Sequence, residues 1–386
     1  MALEVCGRPF SASTREENLD RLTSETFDVL VVGGGITGVS VARDAAMRGL
    51  RTALVEKGDW AQGTSSRSSR MIHGGLRYLE NYQFGLVFQC CSERRVMRKV
   101  APRLVRPLPF LYPLYRGQRP APWKLRAGLT LYDTLSLFRN VQRHRWLGPE
   151  EVARREPILG GRGLLGAARF YDAQVDDARL TMEVARAAHR AGAVVANYAE
   201  VVGLLCAGGR VHGAAVRDRV HGREVEVRAR VVVNATGVWA DEVRRHDLHY
   251  RGHTVRPTKG VHLLIPYDRL PTQHAVTFDS PRDGRHVFLF PWSKRHSIVG
   301  TTDTDYEGDL DRPAATWEDV EYLLEALAFV FPGAQVGPDD VISTYAGLRP
   351  LLYAEGRPYA LSREHQILES PSGPVSYTHL TLPTKA

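Results

Sequence analysis

Four residues in the stretch FDVLVVGGGITGVSVARDAAMRGLRTALVE, residues 27–56, have the types and spacing that suit binding of a dinucleotide. Gly33 permits a tight turn after an apolar run, Gly35 lets a pyrophosphate approach the backbone, and Gly38 lets the following helix pack closely on the strand. Glu56 ends the next apolar run, where a carboxylate accepts from ribose hydroxyls and disfavours a 2′-phosphate. Strand, helix and acidic residue occur in the order of a βαβ unit, so the sequence predicts a dinucleotide site at the start of this helix.

Hydroxyl side chains form a second candidate site in GDWAQGTSSRSSRMIHGGLRYLE, residues 58–80. Serine and threonine crowd into positions 64–69, and Gly74 and Gly75 follow. Hydroxyl groups and flexible backbone suit a loop that wraps a long polar cofactor. Short Ser/Gly runs are also typical of surface loops, so the residues alone leave both interpretations open.

Histidines are the remaining candidates for acid–base or metal chemistry. His262 lies in KGVHLLIP, whose alternation predicts a strand; a lone strand histidine is a candidate base but is more often a core residue. His246, His249 and His253 have helical spacing without acidic or cysteine partners in a ligand pattern, which favours a solvated basic stretch over a metal site. We therefore predict no metal, and we find no G-x-S-x-G, H-E-x-x-H or Walker motif.

Composition limits the classes of protein to consider. The 386 residues carry 51 Lys+Arg and 43 Asp+Glu, with 43% hydrophobic residues, as in globular proteins that bury a large core. No apolar run reaches the roughly 20 residues of a membrane span, and no signal peptide is recognisable, so we expect a cytoplasmic protein. The excess basic charge forms no nucleic-acid module; an anionic substrate or membrane surface fits it better. The cysteines, Cys6, Cys90, Cys91 and Cys206, have no metal or redox spacing and are interpreted as reduced thiols.

Periodicity predicts the elements that position these residues. Residues 169–206 contain a helix-like stretch from Asp177 and strands that return to the dinucleotide domain. Residues 251–340 alternate as strands of an antiparallel sheet, followed by a helix from Trp317 to Phe331. Residues 104–138 mix aromatic and apolar residues with arginines and prolines, which suits either an interfacial membrane contact or a proline-broken helical subdomain that buries them.

The string GTSSRSSRMIHGGLRYLE after a βαβ unit resembles the FAD-dependent glycerol-3-phosphate dehydrogenase family, among the D-amino-acid-oxidase-like flavoproteins. The resemblance continues through FYDAQVDDARL, VVVNATGVWAD, KGVHLLIP, IVGTTDTDYEGD and STYAGLRPL. It implies an α/β fold, in which a Rossmann-like FAD-binding domain carries an inserted antiparallel-sheet substrate domain. FAD is then the expected cofactor.

The resemblance also implies roles for individual residues. The serine segment runs beside the FAD pyrophosphate, HGGL lies against the flavin, and the Ala235-Thr236-Gly237 turn closes over the cofactor. Arg77, Tyr78 and Arg349 face the substrate, and an arginine suits phosphate because its planar donors bind bidentately. Arg70 stands where the family more often has lysine. The complete set of expected cofactor contacts is Gly33, Gly35, Gly38, Glu56, Thr64, Ser65, Ser69, Gly74, Leu76, Val201, Ala235, Thr236 and Gly237.

The resemblance implies oxidation of sn-glycerol 3-phosphate to dihydroxyacetone phosphate, with electrons passed to quinone. Arg77 and Arg349 hold the phosphate, and His262 is the candidate catalytic base. Two alternatives stay open: a glycerol-3-phosphate oxidase that uses oxygen, and a non-catalytic or substrate-altered FAD-binding protein. We also expect peripheral binding to the inner face of the cell membrane and no nucleic-acid partner, and a homodimer is one assembly open to the protein.

The expected domain ranges follow from these assignments. We expect a flexible arm at 1–26, the FAD-binding domain at 27–103, 150–250 and 341–370, a helical or interfacial segment at 104–149, and the substrate domain at 251–340. The family's later glycine-rich segment with a lysine is not found. Residues 371–386 have no helical or strand periodicity and are expected to be non-native. Without the lysine segment, the 386 residues alone are expected not to turn over substrate at a useful rate.

Overall fold

The structure is a computed structural model that describes residues 9–79, 82–118, 120–161, 163–247, 249–250, 252–353 and 366–378. The prediction for Cys6, the first residues of the expected arm and the last residues of the chain fall outside these ranges. The strands in chain order are β1 Thr26–Val32, β2 Thr52–Val55, β3 Met71–Ile72, β4 Arg106–Tyr115, β5 Arg145–Leu147, β6 Leu164–Gln174, β7 Val194–Ala196, β8 Ala199–Ala207, β9 Arg210–Asp218, β10 Glu224–Asn234, β11 Val255–Pro266, β12 Ala275–Asp279, β13 His286–Trp292, β14 His296–Gly300, β15 Thr304–Asp305, β16 Ser343–Leu352, β17 Gln366–Glu369 and β18 Val375–Thr378.

Helices connect and cover the strands. The α-helices are α1 Ala12–Ser24, α2 Ile36–Met47, α3 Phe84–Val100, α4 Pro122–Leu135, α5 Pro149–Arg155, α6 Asp177–Arg190, α7 Ala240–Arg244 and α8 Trp317–Val330. Short 3-10 turns lie at Thr64–Ser66, Leu76–Leu79, Pro157–Leu159, Gly237–Trp239, Pro332–Ala334 and Pro338–Asp340. No helix in the described part of the chain is long and apolar enough to cross a membrane.

The predicted βαβ unit lies at the centre of the first sheet. Its strands run in the order β17-β18-β10-β1-β2-β7, and β9 and β8 continue from β10. The run from β18 to β7 is parallel, and β1 and β2 are apolar strands buried between helical layers, as parallel strands require. Because parallel strands end at one edge, the turns after β1, β2 and β10 come together there.

The expectation of a flexible arm at residues 1–26 is wrong for its described part, because residues 12–24 form α1. Ser11 caps this helix by accepting from the Thr14 N–H, and the buried Leu19 and Leu22, at helical spacing, join the core of the first sheet. Asn18 also donates to the Val195 carbonyl at 2.9 Å. The apolar signal was weak because only two leucines carry the packing.

The second sheet has ten strands and includes more of the chain than residues 251–340. Its order is β15-β11-β14-β13-β12-β4-β6-β3, with β16 on β11 and β5 on β6. The segment 104–149, expected to be helical or interfacial, thus contributes β4 and β5 as well as α4. Pro107, Pro109 and Pro113 all fall on alternate positions of β4. Since successive N–H groups of a strand point to opposite edges, the prolines remove hydrogen-bond donors from one edge only.

Helix α8 covers one face of the second sheet and is anchored by a buried ion pair. Its apolar side packs on β11, β13 and β14, and Lys259 of β11 lies 2.6 Å from Asp319 of α8. Asp319 also caps the helix through the Thr316 N–H at 2.9 Å. One carboxylate therefore fixes both the start of α8 and its position on β11.

The last described residues form strands, although no strand periodicity was recognised there. Residues 366–369 and 375–378 form the hairpin β17–β18, and β18 pairs with β10 at Val233 and Asn234. Ser370 and Ser372 both donate to Asp247, which follows α7, so this side chain also holds the hairpin.

Candidate active site

Two glycines allow close backbone contacts at the turn after β1. Gly33 has φ of +111°, and a Cβ on it would lie 2.6 Å from the Ala235 carbonyl oxygen. A Cβ on Gly38 would lie 1.8 Å from the Gly33 carbonyl oxygen. Neither position admits a larger residue without moving the backbone, and Gly38 therefore serves packing below the site, as its motif position predicts.

The start of α2 and the end of β2 surround the turn. Ser65 accepts from the Ile36 N–H through Oγ at 2.9 Å, so a hydroxyl of the serine segment sits on the helix N-terminus. Glu56 accepts from the backbone N–H groups of Gly34 and Gly58, one on each carboxylate oxygen. Burial raises the pKa of Glu56 although these hydrogen bonds oppose the shift. Each of its oxygens keeps a second lone pair for a hydroxyl.

A cavity of about 580 Å³ extends from these turns. The first sheet supplies one end through residues 199–202 of β8 and Arg217 of β9, and the serine segment lies beside the middle. The other end is formed by residues 71–73 and by one face of α3. Predicted cofactor contacts that line it are Gly33, Gly35, Glu56, Thr64, Ser65, Val201, Ala235, Thr236 and Gly237.

The serine segment also binds the second sheet, which explains why some of its residues lie outside the cavity. Thr64 donates to the Leu348 carbonyl at 2.6 Å, and Tyr345 donates to the Ser68 carbonyl at 3.1 Å. Ser69 Oγ lies 2.9 Å from His262 Nε2. Ser69, predicted as a cofactor contact, is therefore placed between the cavity wall and β11.

Asp177, at the start of α6, holds the same segment from its other side. It accepts from the Ser68 hydroxyl at 2.6 Å and from the Ser68 N–H at 3.2 Å. Burial raises the pKa of Asp177, whereas these bonds and the charge of Arg70 lower it. Asp177 also lines the cavity, so the segment is fixed where the cavity passes it.

The HGGL turn contributes His73 to the cavity wall but not its other predicted contacts. Gly74 lies under the Tyr132 hydroxyl, which a Cβ would approach to 1.8 Å, and Leu76 packs in an apolar cluster behind the wall. Tyr78 is buried in that cluster, and Arg77 does not line the cavity. The substrate roles predicted for Arg77 and Tyr78 stay predictions.

His262 lies in the second sheet and is almost fully buried, with 2% of its surface exposed. Its ring stacks on Tyr345 with 4.6 Å between centroids, and its Nδ1 has no hydrogen-bond partner among the described residues. Burial first, and then the charges of Arg349 and Arg70, lower the pKa of His262 to about 3. It does not line the cavity, and its predicted role as base stays a prediction.

Arg349 lies on the same face of the second sheet as His262. Its Nη1 is 3.1 Å from Asp303 Oδ1, and its Nη2 donates to Thr301 Oγ1 at 3.2 Å and the Thr302 carbonyl at 3.1 Å. The guanidinium passes over Gly260, where a Cβ would lie 2.3 Å from Arg349 Nη2. One edge of this predicted phosphate ligand is thus held by the turn after β14.

The structure reveals one functional candidate that the sequence reasoning missed. His73 lines the cavity, and its Nδ1 lies 2.9 Å from the buried Asp172 Oδ2. An ionised carboxylate only accepts, so Nδ1 is the donor, and the neutral ring has its lone pair on Nε2. The two residues are 99 positions apart, so no local pattern joins them. His246 also lines the cavity, and the described residues contain no cluster of metal ligands.

Comparisons with known proteins agree with this architecture. Residues 28–368 match the family described as FAD dependent oxidoreductase. The chain is 46% identical over 358 residues to "Glycerol-3-phosphate dehydrogenase 2" of Mycobacterium tuberculosis, covering 92% of this chain and 60% of the relative. It is 42% identical over 351 residues to "Alpha-glycerophosphate oxidase" of Streptococcus pyogenes, covering 89% and 57%.

A solved structure is similar over nearly the whole chain. The glycerol-3-phosphate dehydrogenase from Bacillus halodurans, complexed with FAD, superposes with a TM-score of 0.78 at 33% identity, covering 95% of this chain and 64% of that one. This chain therefore spans roughly three fifths of the length of these relatives. The predicted Rossmann-like FAD fold with a second sheet is confirmed.

The turn at Gly33 gives a test of the cavity. Gly33→Ala should weaken FAD binding at least about tenfold, because a Cβ meets the Ala235 carbonyl and the turn must shift by more than the site tolerates. Titration of the apoprotein with FAD, followed by flavin fluorescence, measures this. Gly49→Ala is the matched control, since Gly49 also has positive φ, +84°, but no atom lies within 4 Å of a Cβ there. Equal affinities for the two variants would contradict the assignment.

The buried His262 predicts a pH dependence of stability. Below pH 6.5, the ordinary pKa of histidine, His262 is protonated in the unfolded chain. In the folded chain it stays neutral down to about pH 3. Stability should therefore fall with falling pH in this window, by about 1.4 kcal/mol per pH unit from this group. His262→Gln should flatten the slope in urea unfolding between pH 6.5 and 4. The exposed His212→Gln is the control, and an unchanged slope in His262→Gln would refute the account.

Proposed function

Because the chain belongs to the FAD dependent oxidoreductase family, we propose that it oxidises sn-glycerol 3-phosphate to dihydroxyacetone phosphate with FAD as its cofactor. The observation that carries the proposal is the lining of the cavity. The dinucleotide turns and His73, whose ring is oriented by a buried carboxylate, line the same cavity. A histidine held in this way is suited to taking a proton from an alcohol. The names of the relatives supply the substrate.

The described residues fit FAD. The cavity passes Gly35, where only Ser65 Oγ, at 3.2 Å, approaches the position of a Cβ, so the backbone is open to a pyrophosphate. Glu56 keeps lone pairs for ribose hydroxyls. Trp239 lines the cavity, and its buried indole N–H has no hydrogen-bond partner among the described residues, as expected for a donor reserved for a ligand.

The proposed chemistry divides between cofactor and protein. When bound, FAD accepts the hydride from C2 of the substrate. His73 takes the hydroxyl proton at Nε2, since Nδ1 is committed to Asp172. His262 is less suited to that step, because its Nε2 faces Ser69 and burial disfavours its charged form.

Binding of the substrate phosphate is assigned to Arg349, with Arg77 and Tyr78 as further proposed contacts. Asp303 and the turn after β14 hold one edge of Arg349, which fixes the plane of its guanidinium. A planar fork held in this way is suited to two parallel hydrogen bonds with phosphate oxygens. Arg70 adds positive charge nearby, since both arginines lower the pKa of His262.

The electron acceptor we propose is quinone, and oxygen is the alternative. Similar proteins carry both names, dehydrogenase and oxidase, at 46% and 42% identity. Quinone is lipid-soluble, so this choice links the reaction to a membrane surface. A homodimer is compatible with the proposal and is not required by it.

The proposed membrane surface lies on α3 and α4, which pack against each other. Aromatic and apolar side chains are exposed there beside basic ones, a composition that suits an anionic interface. The deeper aromatic residues of β4, such as Phe110, are buried and take no part. The exposed apolar set is Phe84, Phe88, Val96, Trp123, Leu131 and Phe138, and the exposed basic set is Lys99, Arg103, Lys124 and Arg126.

Vesicle co-sedimentation tests this surface. Trp123→Ser combined with Phe138→Ser should weaken binding to vesicles that contain phosphatidylserine, because both rings are exposed and contribute apolar area. Trp317→Ser on α8 is the matched control, since Trp317 is 59% exposed on another surface. Equal binding of both variants, or no binding of the parent protein, would contradict the proposal.

Anaerobic reduction of the bound flavin tests the proposed reaction. We expect sn-glycerol 3-phosphate to bleach the oxidised flavin of the FAD-loaded protein, and glycerol, which lacks the phosphate, to leave it oxidised. Arg349→Lys should weaken substrate binding by about 1–3 kcal/mol, because an ammonium cannot reproduce the bidentate contact. Arg269→Lys is the matched control, since Arg269 pairs with Asp340 at 2.7 Å on the surface. Flavin that binds but is not reduced would overturn the proposed function.

A further inference from the structure

A buried polar cluster lies behind His73 and joins four elements. Its centre is Asp172 of β6, and Arg94 of α3, Tyr132 of α4 and the backbone of Gly74 all bind it. Asp172, Arg94 and Tyr132 are each at most 3% exposed. A buried carboxylate loses its hydration, and these donors replace it.

The two oxygens of Asp172 are used differently. Oδ1 accepts from Arg94 Nη1, from the Tyr132 hydroxyl at 3.0 Å and from the Gly74 N–H at 2.9 Å. Oδ2 accepts from His73 Nδ1. Arg94 compensates the charge of Asp172, and the bond to His73 adds to this stabilisation. The bond to Oδ2 holds His73, which lines the cavity.

Further contacts keep the donors in place. Arg94 Nη2 donates to Asn140, and Asn140 Nδ2 donates to Asp133 Oδ1 at 2.8 Å. Asp133 in turn accepts from the His144 N–H at 3.0 Å. The guanidinium therefore cannot leave Asp172 without breaking a chain that reaches the end of α4.

We propose that Asp172 is a positioning residue for His73, and that Arg94 and Tyr132 fix the carboxylate in the orientation that accepts from His73 Nδ1. This proposal rests on the proposed function, in which His73 is the base. Asp172 orients the ring so that Nε2 carries the lone pair. Arg94 and Tyr132 bind Oδ1, which leaves Oδ2 directed at His73 Nδ1.

The protonation states of the cluster agree with this assignment. Burial by itself would raise the pKa of Asp172, but Arg94 and the hydrogen bonds of His73 and Gly74 lower it, so the carboxylate stays ionised. Burial raises the pKa of Tyr132 well above its usual value, so its hydroxyl stays a donor. The titratable and charged groups around His73 are Asp172 of β6, Cys90, Cys91, Glu93 and Arg94 of α3, Tyr132 of α4, Asp177 of α6 and Tyr78.

Two variants test the carboxylate and its supports separately. Asp172→Asn should lower the rate of flavin reduction by sn-glycerol 3-phosphate about 10²- to 10⁴-fold, since a carboxylate no longer selects the tautomer. Tyr132→Phe removes one donor from Oδ1 and also an acceptor of Arg94 Nη1, so the carboxylate is held less firmly although its charge remains. The rate in Tyr132→Phe should therefore lie between the rates of the parent protein and of Asp172→Asn. Tyr115→Phe is the control, because its hydroxyl donates to the Leu159 carbonyl away from the cavity.

Histidine ¹⁵N NMR of the FAD-loaded protein gives a readout that needs no substrate. The His73 signals, identified by their loss in His73→Gln, should show a proton on Nδ1 in the parent protein and a mixture of tautomers in Asp172→Asn. In Tyr132→Phe the share of the Nδ1-protonated tautomer should lie between the shares in the parent protein and in Asp172→Asn. An unchanged tautomer in Asp172→Asn, or the same tautomer mixture in Tyr132→Phe and Tyr115→Phe, would overturn the proposal. If the NMR signals change as expected but sn-glycerol 3-phosphate does not reduce the flavin, the proposed function is wrong and the positioning role of Asp172 stands.

Discussion

Hydrogen bonds of the segment 64–73 hold the two sheets of this protein around one cavity. Thr64 binds β16, Ser69 meets His262 of β11, and Asp177 of α6 fixes Ser68 between them. The same segment places Ser65 on the start of α2. Its hydroxyls thus satisfy backbone and side-chain groups of both sheets, and the shape of the cavity depends on this single stretch of chain.

Charge in the site is controlled by burial and by shared partners. His262 is kept neutral by burial beside two arginines, whereas Asp172 is kept ionised because Arg94 compensates for its burial. Arg349 lies beside His262 in the second sheet, and Asp172 holds His73 on the cavity wall. The difference between the two buried groups follows from whether each has an oppositely charged partner.

Local patterns predicted the parts of the site that local geometry determines. Gly33, Gly38 and Glu56 were identifiable because the βαβ unit fixes their roles within thirty residues. The pair His73–Asp172 could not be found in this way, since β6 brings its carboxylate to the turn from 99 residues away. The helix α1 was missed because its apolar stripe consists of Leu19 and Leu22. The strand β4 was missed because it contains three prolines, although they lie at alternate positions and so remove donors from one edge only.

Hydrogen exchange with and without FAD tests most directly the claim that one segment couples the cavity to both sheets. The account predicts that FAD protects amides of 64–73 and also those of 343–349 in β16, although the second stretch lies behind the cavity wall. Protection confined to the turns after β1, β2 and β10 would contradict the account, because binding of FAD in the cavity would then not stabilise the second sheet.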